Sequence, residues 1–375
     1  MSMNLKASFV DYLIQKYPHF NQELLQPLIS ENLLSPFQIA LSVETIDSIK
    51  AEIKNYWKLR QWGVQNLSSR YEAMGLRKPD NFAACMSFDF HVGGESGLEL
   101  IEINTNASFL ALGLELYEFL GLKEVASSFN ESRIVEMFKE ENRLCGGTQL
   151  NLTIIDEKPE NQRLYVEFLI YQSILKKNGI NCEVADISEI EKIKSASLIY
   201  NRHTDFYLQE PKSIAIKKLF NEAKIQLSPN PYEYFLLADK ERFIDWSNQT
   251  DVEKPKSLLQ TYDLGKTERE KIWTEKKNLF IKPKNSFGSK QAYKAASISR
   301  KVFEEVMNSN FIAQKLSHAP EIEVDYKNEK LKLRYDLRCY AYQDQLQLII
   351  ARLYQGQTTN LRTDGGGFAA IVIKS

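Results

Sequence analysis

The sequence predicts a mixed α/β fold of several units, with a parallel sheet in the middle of the chain. Strand-like and helix-like segments alternate from about residue 150 to 235, which is typical of parallel strands joined by helices. The stretch from about residue 276 is rich in strands, and roughly the first 75 residues are mostly helical in period. A chain of 375 residues is also too long for one ordinary core, so we expect two or three units.

The first half of the chain predicts helices followed by a hairpin. Leu13, Ile14, Tyr17 and Phe20 recur at helical spacing, and the apolar residues between positions 46 and 57 do the same. The apolar runs FAACMSFDFHV and LELIEINTNA then flank the glycine-rich turn GGESG, a pattern that is typical of a β-hairpin. The following run, LALGLELYEFLGL, again has a helical period.

The second half of the chain predicts the parallel sheet and then antiparallel strands. The strands of the parallel sheet are LNLTIID, INCEVADI and ASLIYNR, and a helix that ends at Gly179 follows the first of them. Further on, FIKPKNSFGSKQAYKA predicts two strands around a Gly/Ser turn, and FIAQKL predicts a short strand. The stretch LRYDLRCYAYQDQLQLIIARLYQ predicts a long hairpin.

The composition is that of a globular protein and excludes several classes of partner. Lys+Arg number 48 against 49 Asp+Glu, so the net charge of −1 provides no overall field that would attract nucleic acid or a membrane surface. The four cysteines are widely spaced without a CxxC pair, as expected of reduced thiols in a cytoplasmic protein. No apolar run is long enough for a signal peptide or a membrane span.

Oxygen-bearing side chains on the predicted hairpin form the first candidate site. Residues two apart in a strand face the same side, so Glu102 and Asn104 present a carboxylate and an amide together. Asp89 lies on the partner strand and can join them. Hard oxygen ligands of this kind suit Mg²⁺ that bridges nucleotide phosphates. The alternative is the solvent-facing polar side of an ordinary strand.

Lysines beside small residues form the second pattern. Lys282 lies on the predicted strand FIKP, ahead of a loop that contains Ser286, Gly288 and Ser289. A strand lysine can hold phosphate while the N–H groups of such a loop wrap the phosphate oxygens, although an ordinary hairpin with exposed lysines looks the same. Lys240, in the stretch LADK ahead of a helix, is a candidate for a second phosphate contact but carries no signal alone.

The C-terminal stretch combines arginines with a glycine-rich segment. Arginines on strands aim planar donor groups into a cleft, where these suit carboxylate and phosphate oxygens. A triple glycine marks backbone that must approach something closely or must move; a flexible terminus is the alternative, against which the apolar run GGGFAAIVI argues. The residues concerned are Arg338, Arg352, Asn360, Arg362, Gly366 and Gly367.

Taken together, these stretches resemble the ATP-grasp superfamily of ligases. The resemblance rests on ADK, FIKP, NSFGS, FIAQKL, YDLR, ARLYQ and the Glu102/Asn104 pair, and it covers roughly residues 80 to 375. The Glu102/Asn104 strand precedes both lysines, whereas most ATP-grasp ligases carry it last. This circularly permuted order resembles eukaryotic-type glutathione synthetases, glutathionylspermidine synthetase and bacterial permuted ATP-grasp proteins. LELIEINTNASFLALG and TDGGGFAAIVI are similar to stretches of those enzymes.

The resemblance implies a division of the chain and a role for each motif residue. It implies a helical segment at 1–79, a metal-binding hairpin and helix of the ATP-grasp core at 80–145, a substrate-side α/β domain at 146–235 and nucleotide-binding subdomains at 236–375. Asp89, Glu102 and Asn104 would bind Mg²⁺, and Arg352 would stabilise an acyl phosphate. The implied ATP-binding residues are Lys240, Lys282, Ser286, Gly288, Ser289 and the adenine-slot residues Gln314, Lys315 and Leu316.

Substrate-side candidates come from the end of a predicted strand of the parallel sheet. Asn201, Arg202 and Asp205 follow such a strand, and ligands favour the carboxyl ends of parallel strands; an Asx-type turn is the alternative. Ser87 stands where glutathionylspermidine synthetase has an arginine, which puts a glutathione-like substrate in doubt. His91 is a candidate for a group behind the metal ligands, or a structural histidine.

The resemblance implies an ATP- and Mg²⁺-dependent ligase that joins a carboxylate to an amine through an acyl phosphate. Its substrates would be small molecules or peptides, and a homodimer remains open. A nucleotide-binding module without catalysis and a phosphotransferase on the same fold are the alternatives. The metal set favours an enzyme over the binding module, and product analysis separates a ligase from a phosphotransferase.

Overall fold

The structure, a computed structural model, describes residues 5–94, 96–284 and 292–374. The helices are α1 (Leu5–Lys16), α2 (Gln22–Leu28), α3 (Val43–Asn66), α4 (Ser68–Glu72), α5 (Leu110–Phe119), α6 (Glu131–Leu144), α7 (Tyr165–Lys177), α8 (Ile190–Ser195), α9 (Ile214–Asn221), α10 (Pro231–Glu233), α11 (Glu241–Asn248), α12 (Arg269–Glu275) and α13 (Arg300–Met307). A π-helical turn, Tyr234–Ala238, continues α10, and short 3₁₀ turns occupy Pro159–Asn161, Pro211–Ser213, Lys276–Asn278 and Ala295–Ser297.

The strands are β1 (Ile39–Leu41), β2 (Met86–Val92), β3 (Leu98–Asn104), β4 (Asn151–Asp156), β5 (Asn181–Asp186), β6 (Leu198–Asn201), β7 (Leu227–Ser228), β8 (Thr261–Asp263), β9 (Leu279–Pro283), β10 (Tyr293–Lys294), β11 (Phe311–Lys315), β12 (Glu321–Tyr326), β13 (Glu329–Tyr342), β14 (Gln345–Tyr354) and β15 (Gly367–Ile373). They form three sheets in the described part of the chain.

The largest sheet has the order β1-β15-β14-β13-β2-β3, with β12 paired to β13. The predicted hairpins β2–β3 and β13–β14 are confirmed, and both are antiparallel. β2 lies between β3 and β13, so residues near position 90 meet residues near position 338. This meeting of distant segments builds the candidate site.

Each face of the large sheet is covered by a different helix layer. On one face, α5 packs so closely that a Cβ on Gly113 would lie 2.8 Å from the Leu348 side chain. On the other face, α3 packs its apolar stripe, and Ile49 and Ile53 are fully buried there. Ser42 caps α3 by accepting the N–H of Thr45 at 3.2 Å, which satisfies one of the unpaired donors at the start of the helix.

The predicted parallel sheet is confirmed, with the order β5-β4-β6-β7. β4 pairs in parallel with both β5 and β6, and β6 pairs in parallel with β7. Helices cover both faces of this sheet, α6 and α7 on one side and α8 and α9 on the other, so the inner strands β4 and β6 are buried on both faces.

A small antiparallel sheet of order β10-β9-β11-β8 carries the FIKP and FIAQKL strands. Its own core includes Ile272 of α12 and Phe303 of α13, both fully buried. The small core fixes β9 and β11 side by side, with Lys282 opposite Ile312.

The N-terminal segment is not helical throughout, because it also gives β1 to the large sheet. Ile39 pairs with Ile371 in a parallel ladder, and the N–H of Phe368 donates to the carbonyl of Leu33 at 2.9 Å. A strand of three residues is too short for its period to be seen in the sequence, and its partner lies at the far end of the chain. The helix period predicted for residues 13 to 20 breaks after Lys16, where α1 ends.

Candidate active site

One face of the large sheet is divided into an apolar half and a charged half. Alternate residues of β13 point to this face, so Asp336, Arg338 and Tyr340 share it. Tyr340 belongs to the apolar half under α5, where Leu348 and Ile350 also pack. The charged half, which includes Asp336 and Arg352, borders a cavity, and the candidate site is built there.

Asp89 is the centre of the charged half. Arg338 donates to both of its oxygens, from Nε to Oδ1 at 3.1 Å and from Nη2 to Oδ2 at 2.7 Å. Arg352 Nη2 donates to Oδ2 at 2.9 Å, Ser87 Oγ to Oδ1 at 3.1 Å, and Asn104 Nδ2 to Oδ2 at 3.1 Å. Burial would raise the pKa of Asp89, but the charges of Arg338 and Arg352 outweigh it and hold that pKa at about 2.

Arg352 lies between two carboxylates. Its Nε donates to Asp336 Oδ1 at 2.6 Å, while its Nη2 reaches Asp89. Asp336 also accepts from Thr359 Oγ1 at 2.5 Å, which ties the loop after β14 to the site. Arg338, Asp89, Arg352 and Asp336 therefore form a row of alternating charges along the sheet.

The predicted group of Asp89, Glu102 and Asn104 is brought together. Asp89 is the register partner of Glu102 across the β2–β3 hairpin. Asn104 Nδ2 lies 3.1 Å from Asp89 Oδ2 and 3.3 Å from Glu102 Oε1. Of the three, Glu102 lines the adjoining cavity, whereas Asp89 is wholly buried behind it.

A cavity of about 480 Å³ lies between this face and the small antiparallel sheet. A volume of this size is within the usual range for small-molecule sites. Both cationic and anionic side chains reach it from the two sheets. The charged and histidine residues that line it are His91, Glu102, Lys240, Lys282, Lys294, Lys315, His318, Glu321, Arg334, Asp336 and Arg352.

Lys282 and Lys240 both line the cavity, as the sequence predicts for a phosphate site. Lys282 Nζ donates to Gln314 Oε1 at 2.9 Å and to the carbonyl of Ile101 at 3.1 Å. Burial lowers the pKa of Lys282 to about 8, partly opposed by Glu102 and assisted by the like charge of Lys240. Burial also lowers the pKa of Lys240.

The predicted adenine-slot residues Gln314, Lys315 and Leu316 also line the cavity. The N–H of Lys315 donates to the carbonyl of Gln260 at 2.8 Å, and that of Leu316 donates to the carbonyl of Asn278 at 2.7 Å. Both N–H groups are thus committed to the chain's own carbonyls. In this conformation, Lys315 and Leu316 therefore have no free backbone N–H that could donate to an adenine ring.

The substrate-side candidates of the parallel sheet do not line the cavity. Asn201 accepts the N–H of His203 at 3.2 Å, which is the Asx-type turn given above as the alternative. Asp205 accepts the N–H groups of Gln209 and Glu210 at 3.0 and 2.7 Å, further along the same loop. Arg202 donates to the carbonyl of Asn106 and to Ser108 Oγ, and thereby holds the loop that follows β3.

The candidates in the C-terminal loop also lie away from the cavity wall. Asn360 Oδ1 accepts the N–H of Arg362 at 3.0 Å, and Arg362 itself is exposed. Gly366 and Gly367 are buried: a Cβ on Gly367 would lie 2.6 Å from the carbonyl oxygen of Asn32. The close approach at Gly367 is therefore to the chain's own N-terminal segment, whereas a Cβ on Gly366 would lie 2.6 Å from the carbonyl oxygen of Leu353. Ser286, Gly288 and Ser289 lie outside the described residues.

Two side-chain contacts in the cavity wall were not predicted from sequence. Asp336 was visible in the YDLR stretch, but its pairing with Arg352 depends on the register of β13 against β14, where the two residues lie opposite each other. His91 Nδ1 lies 2.6 Å from Ser317 Oγ, in the segment after β11. The signal that could have identified Asp336 is an acidic residue two positions before Arg338 on the same predicted strand, and therefore on the same face as that arginine.

The residues present fit a magnesium–nucleotide complex. Glu102 provides a carboxylate in the cavity, and Asn104 provides an amide beside it; both are hard oxygen donors. The lysines Lys240 and Lys282 border the same space and suit phosphate oxygens.

The three sheets form a mixed α/β fold with a cavity between two of them, and the strand that carries Glu102 precedes both lysine segments along the chain. The structure is similar to a glutathione synthetase-like effector from Globodera pallida in its apo form, with a TM-score of 0.54, 10% identity, and coverage of 91% of this chain and 90% of that chain. It is also similar to a putative gamma-glutamylcysteine synthetase from Methylobacillus flagellatus, with a TM-score of 0.43, 10% identity and coverage of 83% and 84%.

A third similar structure is the ATP-grasp ligase PsnB in complex with a minimal precursor, with a TM-score of 0.31, 12% identity, and coverage of 60% of this chain and 90% of that chain. No protein-family model matches the sequence, and no curated protein matches it. Among the described residues, no helix combines the length and the apolar character needed to cross a bilayer.

Proposed function

We propose that this protein is an ATP- and Mg²⁺-dependent ligase that forms a C–N bond between a carboxylate and an amine. The observation that carries the proposal is the convergence of Glu102, Lys240, Lys282 and Arg352 on one cavity. These residues come from separate parts of the chain, and a fold alone would not require their meeting. The similarity in fold to a glutathione synthetase-like protein supports it.

The chemistry requires activation of the acid, because hydroxide is a poor leaving group. A carboxylate oxygen of the acid attacks the γ-phosphorus of ATP, the bond to the bridging oxygen breaks, and ADP leaves. The amine then attacks the acyl carbon, phosphate leaves with the oxygen that came from the acid, and the nitrogen loses a proton. Transfer of this kind depends on positioning and charge stabilisation rather than on covalent help from the protein.

In the proposed reaction, four of the charged side chains that line the cavity have a role. Lys240 and Lys282 bind phosphate oxygens, and Arg352 stabilises the charge on the acyl phosphate. Mg²⁺, held by Glu102 and Asn104, would neutralise charge on the phosphates. Residues 236–375 would hold the nucleotide and residues 146–235 would lie on the substrate side. The acid and the amine are small molecules or peptides.

Calorimetric titration with AMP-PNP tests the nucleotide site. We expect Mg²⁺-dependent binding that weakens roughly 10- to 100-fold in Lys282→Ala, as for a lost charge-assisted hydrogen bond. Glu102→Ala should remove the dependence on Mg²⁺. Lys139→Ala, which removes an exposed lysine of α6, is the matched control and should bind as the unaltered protein does. Absence of binding to the unaltered protein would refute the proposal.

Isotope transfer tests the reaction. Candidate acids labelled with ¹⁸O in the carboxylate are incubated with ATP, Mg²⁺ and a panel of amino acids, polyamines and short peptides. An acyl-phosphate ligase transfers one ¹⁸O from the acid to the released phosphate and consumes the amine. A phosphotransferase instead leaves a stable phosphorylated product and consumes no amine, and a binding module turns over nothing.

A further inference from the structure

The carboxylate of Asp89 is saturated by donors from its own chain. A carboxylate offers about four lone-pair sites. Oδ1 accepts from Arg338 Nε and Ser87 Oγ, and Oδ2 accepts from Arg338 Nη2, Arg352 Nη2 and Asn104 Nδ2, all at 2.7 to 3.1 Å. No acceptor position is left for a metal ion.

The location of Asp89 also argues against metal binding. Asp89 is 0% exposed and does not line the cavity, whereas its register partner Glu102 does. Asn104 does not line the cavity either, but it is partly exposed beside Glu102. A metal ion bound to nucleotide phosphates has to lie in the cavity. Asp89 would reach it only by giving up contacts to Arg338 or Arg352. Arg352 would keep Asp336, whereas Arg338, which is buried, would lose its carboxylate partner.

The two arginines depend on Asp89 for their placement. The register of β13 on β2 sets Arg338 directly opposite Asp89, and their paired contacts form a planar fork. Arg352, one strand further, is held by Asp89 on one side and by Asp336 on the other. Of the two arginines, Arg352 lines the cavity and Arg338 lies behind it.

We propose that Asp89 is a positioning residue that orients Arg338 and Arg352, and that it is not a ligand of the magnesium ion. The metal is left to Glu102 and Asn104. Asp89 contributes to the metal site only by accepting the amide N–H of Asn104, which fixes the orientation of that side chain. The metal part of this inference rests on the proposed function, whereas the arginine part does not.

Manganese, which occupies magnesium sites and is visible by EPR, tests the metal part. Binding of Mn²⁺ is measured in the presence of AMP-PNP. We expect Asp89→Asn, which keeps the shape and an acceptor oxygen, to change the Kd by about threefold or less. Glu102→Gln, the same chemical change on the neighbouring strand, should weaken the binding of Mn²⁺ by about tenfold or more. Equal losses in the two variants would overturn the inference.

Two measurements on the unaltered protein keep the inference testable if Asp89→Asn does not fold. Anomalous scattering from Mn²⁺ in crystals with AMP-PNP locates the ion; an Asp89 oxygen within about 2.3 Å of it overturns the inference, and a separation beyond coordination distance supports it. NMR of the arginine side chains reports on the arginine part. The Nε–H of Arg338 and the Nη2–H groups of Arg352, which donate to Asp89, should exchange slowly in the free protein, and fast exchange at both positions contradicts the positioning role.

Together, the Mn²⁺ and NMR measurements distinguish failure of the inference from failure of the proposed function. If the unaltered protein binds neither Mn²⁺ nor AMP-PNP, the proposed function fails, and the NMR result on the free protein still decides whether Asp89 holds the arginines. If both bind and the ion contacts Asp89, the proposed function stands and the inference fails.

Discussion

Replacement of Gly367 by alanine separates a packing role of the glycine-rich segment from a role in binding. Gly367 has a φ of +107°, and a Cβ there would lie 2.6 Å from the carbonyl oxygen of Asn32 and 2.8 Å from that of Leu33. Both atoms belong to backbone, and the Leu33 carbonyl already accepts the N–H of Phe368. The substitution therefore has to displace the strand-like contact that joins the N-terminal segment to β15.

Gly356 provides a matched control, since its φ is +105° and a Cβ there would have nothing within 4 Å. The conformational cost of a side chain at positive φ, on the order of 1–3 kcal/mol, is common to both positions. The steric term is present only at Gly367 and adds about 1–3 kcal/mol, the usual cost of overpacking. Gly367→Ala should thus destabilise the protein by that much more than Gly356→Ala.

Urea unfolding followed by circular dichroism measures the difference, and AMP-PNP titration of the folded variants accompanies it. Equal destabilisation by the two substitutions would refute the reasoning from packing. A Gly367→Ala protein of normal stability that had lost its nucleotide affinity would show that the segment contacts ligand directly.

Further predictions concern charged groups. Phosphate binds the protonated form of Lys282, whose pKa in the free protein is about 8, so affinity for AMP-PNP should fall above pH 8 by up to tenfold per pH unit. Lys282→Met should remove this fall, and the same fall in that variant would contradict the reasoning. Arg202→Met should lower the free energy of unfolding by about 2–3 kcal/mol, because the loop after β3 loses its hydrogen bonds to Arg202. A urea titration measures this loss, with Lys139→Ala as the control. Glu233→Gln should cost about 3–5 kcal/mol, because Glu233 is 1% exposed and is the partner of Arg60; a loss under 1 kcal/mol would contradict that.

The sequence was informative wherever a local pattern determines the structure. The two-residue spacing of Glu102 and Asn104 places both on one side of a strand, and the glycine-rich turn GGESG gives the hairpin that brings Asp89 to them. Lys282 was found because a strand lysine beside a small-residue loop is a local pattern too. The strand–helix alternation likewise determined the parallel sheet.

What the sequence could not provide depends on register and on long-range pairing. The contact of Asp89 with Arg338 requires β13 to pair with β2, and no local pattern specifies that neighbour. The Asp336–Arg352 pair needs the offset of β13 against β14. Gly367 is explained only by the backbone at Asn32 and Leu33, so its reason could not be read from the triple glycine itself.

The position of β2 between β3 and β13 has a consequence for biosynthesis. Almost 240 residues separate the end of β2 from the start of β13, so the ribosome releases the β2–β3 hairpin long before the neighbour of β2 exists. Throughout that interval the outer edge of β2 is open to other nascent chains. Asp89 lies in the middle of this edge, and a foreign strand that paired there would bury its charge without an arginine. We therefore expect the charge of Asp89 to disfavour such pairing until β13 brings Arg338 to it.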